Sequence, residues 1–346
     1  MDITKNSSIE LKGIAVLLLL FHHFFYNIDI NIIKKLINYS KLTVGIFIFL
    51  SGYGLCASYS NFKESYIKFF IKNLKKLYKT FIFIFIFSVL IGSITNLRTL
   101  ATVYNNDLKD IALDLFGLLY LFKGKSFNIT WWYMSLIIIL YLFFGVIHMI
   151  LKKNFTLKER LIIFFFLALV LKLLLRFTGN TNYIIINKIL FNISRVTYAF
   201  DYLLTFILGI ITYFNKDEIK KIIESNINKI IIIFAILSFL RMNITETKID
   251  CILSFLFCGI YSYNQSKFKI KNIYFLKILG IYSYEIFLTH TFLYYYYFPI
   301  YMKISNSKII NFIWFFGLSL LLAVLLNKLI NYIYSLKICT KKRKME

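Results

Sequence analysis

The chain has 346 residues, of which 59% are hydrophobic and only 16% charged, with a mean hydropathy of +0.71. A soluble domain of this length needs a polar exterior that so few charges do not supply, so the composition excludes one and points to a membrane protein. The formal net charge of +25 would suggest nucleic acid in a soluble chain, but the lysines gather at the ends of apolar runs, where anionic headgroups and topology account for them. With no basic domain standing apart, membrane lipid is an expected partner and nucleic acid is not.

A membrane-crossing helix needs about 20 apolar residues. The sequence offers about ten such runs, at 10–27, 41–60, 80–97, 131–151, 160–177, 196–214, 228–242, 248–263, 275–298 and 309–335. The expected fold class is therefore all-α, a polytopic membrane bundle of about ten transmembrane helices. The seventh and eighth runs meet at 241–248 and read as a tight hairpin. No linker, internal repeat or soluble stretch stands out, so residues 1–346 read as a single integral-membrane domain. The first run ends in "FHHFFYN" without a small-residue cleavage site and is expected to stay as a helix. The basic segments at 61–80, 151–160, 215–229, 266–277 and 341–344 fall on one side if both termini are cytoplasmic, which sets the expected orientation in the cell membrane. Lys172 and Lys328 lie within helices, near enough to their ends to snorkel. The cysteines Cys56, Cys251, Cys258 and Cys339 show no metal-ligand spacing and read as packing residues, so no metal is expected.

In the first run, Lys12 and His23 are eleven residues apart, close to three helical turns. They share one face and stand about 16 Å apart along the axis, whereas His22 is rotated well away from that line. An ionisable group at membrane depth is a functional candidate, although each could also be an interface anchor or a packed, hydrogen-bonded side chain. The second run carries Gly45, Ser51, Gly52 and Gly54, small residues that allow close helix approach or leave room for a ligand. After it, Lys68, Lys72, Lys75, Lys76 and Lys79 recur at helical spacing between aromatics. That pattern is either simple positive-inside charge or a platform for phosphates.

Within the long 98–130 segment, Asp107, Asp110 and Asp114 share one helical face and Leu108, Ile111, Leu115 and Leu118 the other. An amphipathic helix at the outer interface follows, serving as a strut or as a lid. His148 is expected at the inner interface, and Asp201 with Arg195 could form an ion pair near the outer end of the sixth helix. In the ninth run, His290 and Ser283 share a face and could line one cavity, while Glu285 must be protonated or paired. The "FLYYYYFPI" stretch at 292–300 reads as an aromatic belt.

Taken together, "LKGIAVLLLLFHHFF", "VGIFIFLSGYG", "WWYMSLIIILY" and "LGIYSYEIFLTH" resemble, in this order, the segments of the acyltransferase 3 family of bacterial membrane acyltransferases. Lys12 stands where the family more often has Arg, the acidic residue common in the third segment is absent at Leu136 to Ile139, and Lys79 replaces a frequent proline. The resemblance implies an O-acyltransferase in the bacterial cytoplasmic membrane, moving an acyl group, most often acetyl from acetyl-CoA, to a hydroxyl of an extracytoplasmic carbohydrate acceptor. His23 and His290 are then the expected catalytic residues, and Lys12, Lys68, Lys72, Lys75 and Lys76 the coenzyme-binding ones. Ser51, Tyr53, Trp132, Tyr141 and Ser283 are expected to line the substrate path. His23 would act as general base or carry a transient acyl group. The alternative is a transporter or flippase using the same buried groups for proton coupling.

Overall fold

The computed structural model describes the backbone of residues 1–180, 193–244, 249–268 and 273–343, and their side chains outside 171–201 and 336–343. The side chains of Lys172, Arg195, Asp201 and Cys339, and residues 245–248 of the expected hairpin turn, lie outside the described residues. No strand occurs among the described residues, and each of the ten apolar runs is helical over most of its length.

Helix α1 (Lys5–Phe25) begins five residues earlier than its apolar run, because the Thr4 hydroxyl caps it by accepting from the Ser7 amide at 3.1 Å. The added turn buries Glu10, which accepts hydrogen bonds from Tyr261 and Gln265, and it places Lys12 inside the helix. Helices α2 (Asn31–Ser40) and α3 (Leu42–Ser60) follow. In α4 (Tyr66–Thr95) the lysine-rich segment and the third apolar run form one continuous helix of 30 residues, ended by Asn96 in the left-handed region at φ 55°.

Three short helices, α5 (Leu100–Tyr104), α6 (Leu108–Leu115) and α7 (Leu119–Lys123), fold the next segment. The acidic face of α6 turns into the protein: Asp110 and Asp114 are buried while Leu108 is 80% exposed. Asp114 accepts from the Tyr104 hydroxyl at 2.5 Å, the Ser126 hydroxyl at 2.8 Å and the Phe127 amide at 2.5 Å, and Asp110 pairs with Lys123 and Lys125. The acids thus fasten the segment to itself, so the strut reading fits this geometry.

After α8 (Trp132–Leu151) come α9 (Leu157–Asn180), α10 (Ile193–Phe214), α11 (Lys216–Asn243) and α12 (Asp250–Phe268). Arg241 and Asp250, both fully buried, hold the α11–α12 hairpin together with a 2.5 Å ion pair. His148, near the end of α8, is buried against Tyr59, Phe144 and Phe214 rather than facing headgroups.

The ninth run is not one helix. It divides into α13 (Tyr274–Ile281) and α14 (Ser283–Thr291), followed by a π-helical turn over Phe292–Tyr296. At the break, the Ser283 hydroxyl donates to the Gly280 carbonyl at 2.9 Å, a local bond that competes with the helix ladder. The aromatic stretch that follows is tied into the bundle. The Tyr295 hydroxyl donates to the His23 carbonyl at 2.9 Å, Tyr297 donates to the Ser88 carbonyl at 2.7 Å, and Arg98 stacks 4.0 Å from the Tyr296 ring centre. These contacts tie the stretch to α1, to α4 and to Arg98.

The last helix is α15 (Lys308–Arg343). Among the described residues, six segments are long and apolar enough to cross a membrane: Lys5–Phe25, Asn31–Ser60, Tyr66–Thr95, Ile129–Leu151, Lys216–Asn243 and Lys308–Ser335. Large apolar side chains face outward along them, with Ile232 60%, Phe239 65% and Ile309 69% exposed, as lipid contact requires. The protein is an all-helical, multi-pass membrane protein.

Candidate functional site

The position of α1 is set by two glycines. A Cβ on Gly13 would collide with the Leu276 carbonyl, and one on Gly280 would collide with the Ile9 carbonyl. Helices α1 and α13 therefore pack backbone to backbone, and this close approach brings the Lys12–His23 face against α13 and α14.

Two cavities follow that face. The first, of about 440 Å³, is lined by Lys12, Lys76 and Lys79, by Asn73, Asn327 and Asn331, and by Ser51, Tyr141, Ser283 and Glu285. Its polar wall is connected. Asn327 donates to Glu285 at 2.7 Å, Asn331 donates to Asn327 at 3.0 Å, and the Lys79 ammonium donates to Asn331 at 3.0 Å. Glu285 is thus partnered by the Asn327 amide, and among the described residues no ion pair with a cation is formed there. Three ammonium groups with amides beside them suit a polyanionic ligand such as a nucleotide phosphate.

The second cavity, of about 490 Å³, is lined by His22, His23, Lys41, Thr43, Thr130, Tyr120, Trp132 and Tyr202. The ring of Trp132 stacks on that of Tyr202 at 6.1 Å, giving this chamber an aromatic wall of the kind that packs against sugar rings. The two histidines differ in their surroundings. The Nδ1 atom of His22 lies 3.2 Å from the Ile37 carbonyl and 3.3 Å from the Ser40 hydroxyl, which holds it against α2. His23 instead faces His290, ring centre to ring centre at 4.8 Å.

His290 is fully buried. Its Nδ1 donates to the Ile286 carbonyl at 2.9 Å, and its Nε2 has no hydrogen-bond partner. A carbonyl only accepts, so the proton sits on Nδ1 and the Nε2 lone pair is left without a partner. The helix bearing His290 is clasped from the segment before α8. Asn128 and Trp131 both donate to the Leu288 carbonyl at 3.1 Å, and Thr291 donates to Asn128 at 2.7 Å.

The expected residues divide accordingly. Lys12, Lys76, Ser51, Tyr141 and Ser283 meet in the first cavity, and His23 and Trp132 in the second, with His290 buried at its edge. His290 and Ser283 do not line one cavity: both lie on α14, but Ser283 opens on the first cavity, and Phe287, between them in the helix, lines both. Lys68 pairs with Glu64 at 2.8 Å, Lys72 lies over the Phe62 ring, and neither they nor Lys75 line the first cavity. Tyr53 accepts from the Ile3 amide at 3.1 Å and holds the N-terminal segment, away from both cavities. Lys79, part of the basic run but not among the expected coenzyme-binding residues, also lines the first cavity, and Asn327, Asn331 and the Asn128 clasp carry no signal in the sequence. For the lysines a signal exists: Asn73, Lys76 and Thr80 recur at three and four residues and mark the inward face of α4.

Among the described residues, no group of three His, Cys, Asp or Glu side chains is placed to hold a metal ion. The fold and site define a multi-pass membrane protein with a basic vestibule leading toward a buried histidine pair. The model of the acyltransferase 3 family, described as an acyltransferase domain, matches residues 6–328, nearly the whole chain. The chain belongs to that family and is an acyltransferase, so the transporter alternative gives way. No curated protein and no solved structure matches it.

Proposed function

We propose that this protein is a ten-span membrane O-acetyltransferase, a single functional unit over 1–346 with both termini in the bacterial cytoplasm. It takes acetyl from acetyl-CoA on the cytoplasmic side and places it on a hydroxyl of an extracytoplasmic or lipid-linked carbohydrate. The observation that carries this reading is the alignment along α1 of a cavity with three lysines and a cavity with His23, separated at Phe287. Lys12, Lys76 and Lys79 hold the coenzyme phosphates, and the thioester arm extends toward His23. The acceptor sugar enters the second cavity against Trp132 and Tyr202. Neutral His23 takes the proton of the acceptor hydroxyl as that oxygen attacks the thioester carbon, and the carbon–sulfur bond then breaks as the imidazolium returns the proton to the leaving sulfur, releasing the coenzyme thiol. His290 is placed to accept a hydrogen bond from the imidazolium that forms on His23, which would stabilise that charge where water is scarce.

Proteoliposomes of defined protein orientation test the reading. Radiolabelled acetyl-CoA is supplied on one face and an oligosaccharide acceptor on the other. Label should reach carbohydrate only when the donor is on the Lys12 face. Equal transfer from either face, or none, would contradict it.

A further inference from the structure

The two cavities remain distinct because one ring stands between them. Phe287 lines both, and it does not stand alone. Phe47 on α3, Tyr133 on α8 and Phe287 on α14 form a closed triangle, with ring centres 4.6 Å apart for Tyr133–Phe287, 6.2 Å for Phe47–Phe287 and 6.4 Å for Phe47–Tyr133. All three are nearly inaccessible, at 8%, 8% and 3% exposure for Phe47, Tyr133 and Phe287. On one side of this aromatic layer lie lysines and amides; on the other lie histidines, Lys41 and threonines. Were the rings absent, two polar cavities would join into one hydrated path through the bundle.

We propose that the Phe47–Tyr133–Phe287 cluster is a gate that admits the thioester end of a short-chain acyl-CoA to His23 while excluding water and longer acyl chains. The inference rests on the acyl-transfer reading above and adds a donor class to it. An acyl-CoA presents its acyl group first, so every carbon beyond the carbonyl must pass the rings before the thioester reaches His23. An acetyl group carries one such carbon. A longer chain must fit in the chamber that also holds the acceptor. The side reaction the gate suppresses is hydrolysis, in which water attacks the thioester carbon, the carbon–sulfur bond breaks, and the free acid and coenzyme thiol leave together. Because the rings come from three helices, rotation of one side chain opens the layer without moving the bundle.

The test uses full-length protein in nanodiscs with acetyl-, butyryl- and hexanoyl-CoA, with and without oligosaccharide acceptor, in wild type, Phe287→Ala and Phe287→Trp. Phe287→Ala should raise the ratio of hydrolysis to transfer and shift preference toward butyryl-CoA, each by about tenfold or more. Phe287→Trp should bind acetyl-CoA yet lose transfer. If Phe287→Ala does not fold, as judged by its melting profile, Phe47→Leu on the other side of the triangle should shift the same two ratios in the same direction. Wild-type ratios in a folded opened variant would overturn the gate while leaving acyl transfer intact. Wild type that consumes none of the three donors would overturn both.

Discussion

The imidazoles of His23 and His290 lie 4.8 Å apart at an angle of 52°, with the Nε2 of His290 unpartnered and its Nδ1 committed to the Ile286 carbonyl. The pair is therefore asymmetric. One ring is held in a single tautomer with Nε2 left as an acceptor, and the other lines the second cavity.

If the two rings act as a unit, as proposed, His23→Ala and His290→Ala should each lower transfer by about a hundredfold or more without a matching loss of acetyl-CoA affinity. The double variant should fall little further than His23→Ala alone. Single-turnover rates in detergent or nanodiscs check this, and additive losses would show that the rings work independently.

The lysines separate by the face they occupy. Lys12→Ala, Lys76→Ala and Lys79→Ala should each weaken acetyl-CoA binding by about tenfold, the loss of one charge-assisted contact, and binding should decline with added salt. Lys68→Ala should bind as wild type does, since its ammonium lies on Glu64 at 2.8 Å, outside the cavity. Titration calorimetry with acetyl-CoA would reveal a different order if the basic run acts as a diffuse platform.

Gly13→Ala and Gly280→Ala each force a methyl group against a carbonyl of the facing helix. Each should cost about 1–3 kcal/mol of stability. Thermal melting in detergent reads the effect, and Gly54→Ala, where a Cβ meets open space, serves as the control expected to melt as wild type does.

Asp114 lies outside the spanning helices, and burial raises its carboxyl above the ordinary value of 3.8, although its three hydrogen-bond donors oppose the shift. The folded form then binds a proton more readily than the unfolded one, so the stability of the 98–130 segment should fall as pH rises from the ordinary carboxylate value through the raised one. Limited proteolysis across that range should show slower cleavage on the acid side, and Asp114→Asn should flatten the profile. A steeper profile in the Asn variant would assign the dependence elsewhere.

Much of this organisation is legible in the sequence because lipid enforces long apolar runs, and spacing alone placed Lys12 and His23 on one face of α1. The break at Tyr282 was not legible: no proline marks it, and its cause is a serine bond to the Gly280 carbonyl together with packing on α1. The inward turn of Tyr295 and Tyr297 was likewise hidden, because a run of tyrosines has the same composition at a membrane rim as in a bundle whose free carbonyls need donors. Lys68 and Lys76 look equivalent in the sequence. The difference between them is the rotational phase of α4 against α1 and α15, which only tertiary packing sets. The Asn128 clasp joins positions more than 150 residues apart, as in its bond to the Leu288 carbonyl, and no local pattern announces it.

The most direct measurement is acetyl transfer from labelled acetyl-CoA by purified protein in nanodiscs, comparing wild type with His23→Ala and Lys12→Ala. Wild type should bind and consume the donor, His23→Ala should bind it without turnover, and Lys12→Ala should bind it weakly while turning over what it binds. If wild type neither binds nor consumes acetyl-CoA, or if His23→Ala transfers at the wild-type rate, the cavity along α1 is not the path of the acyl group.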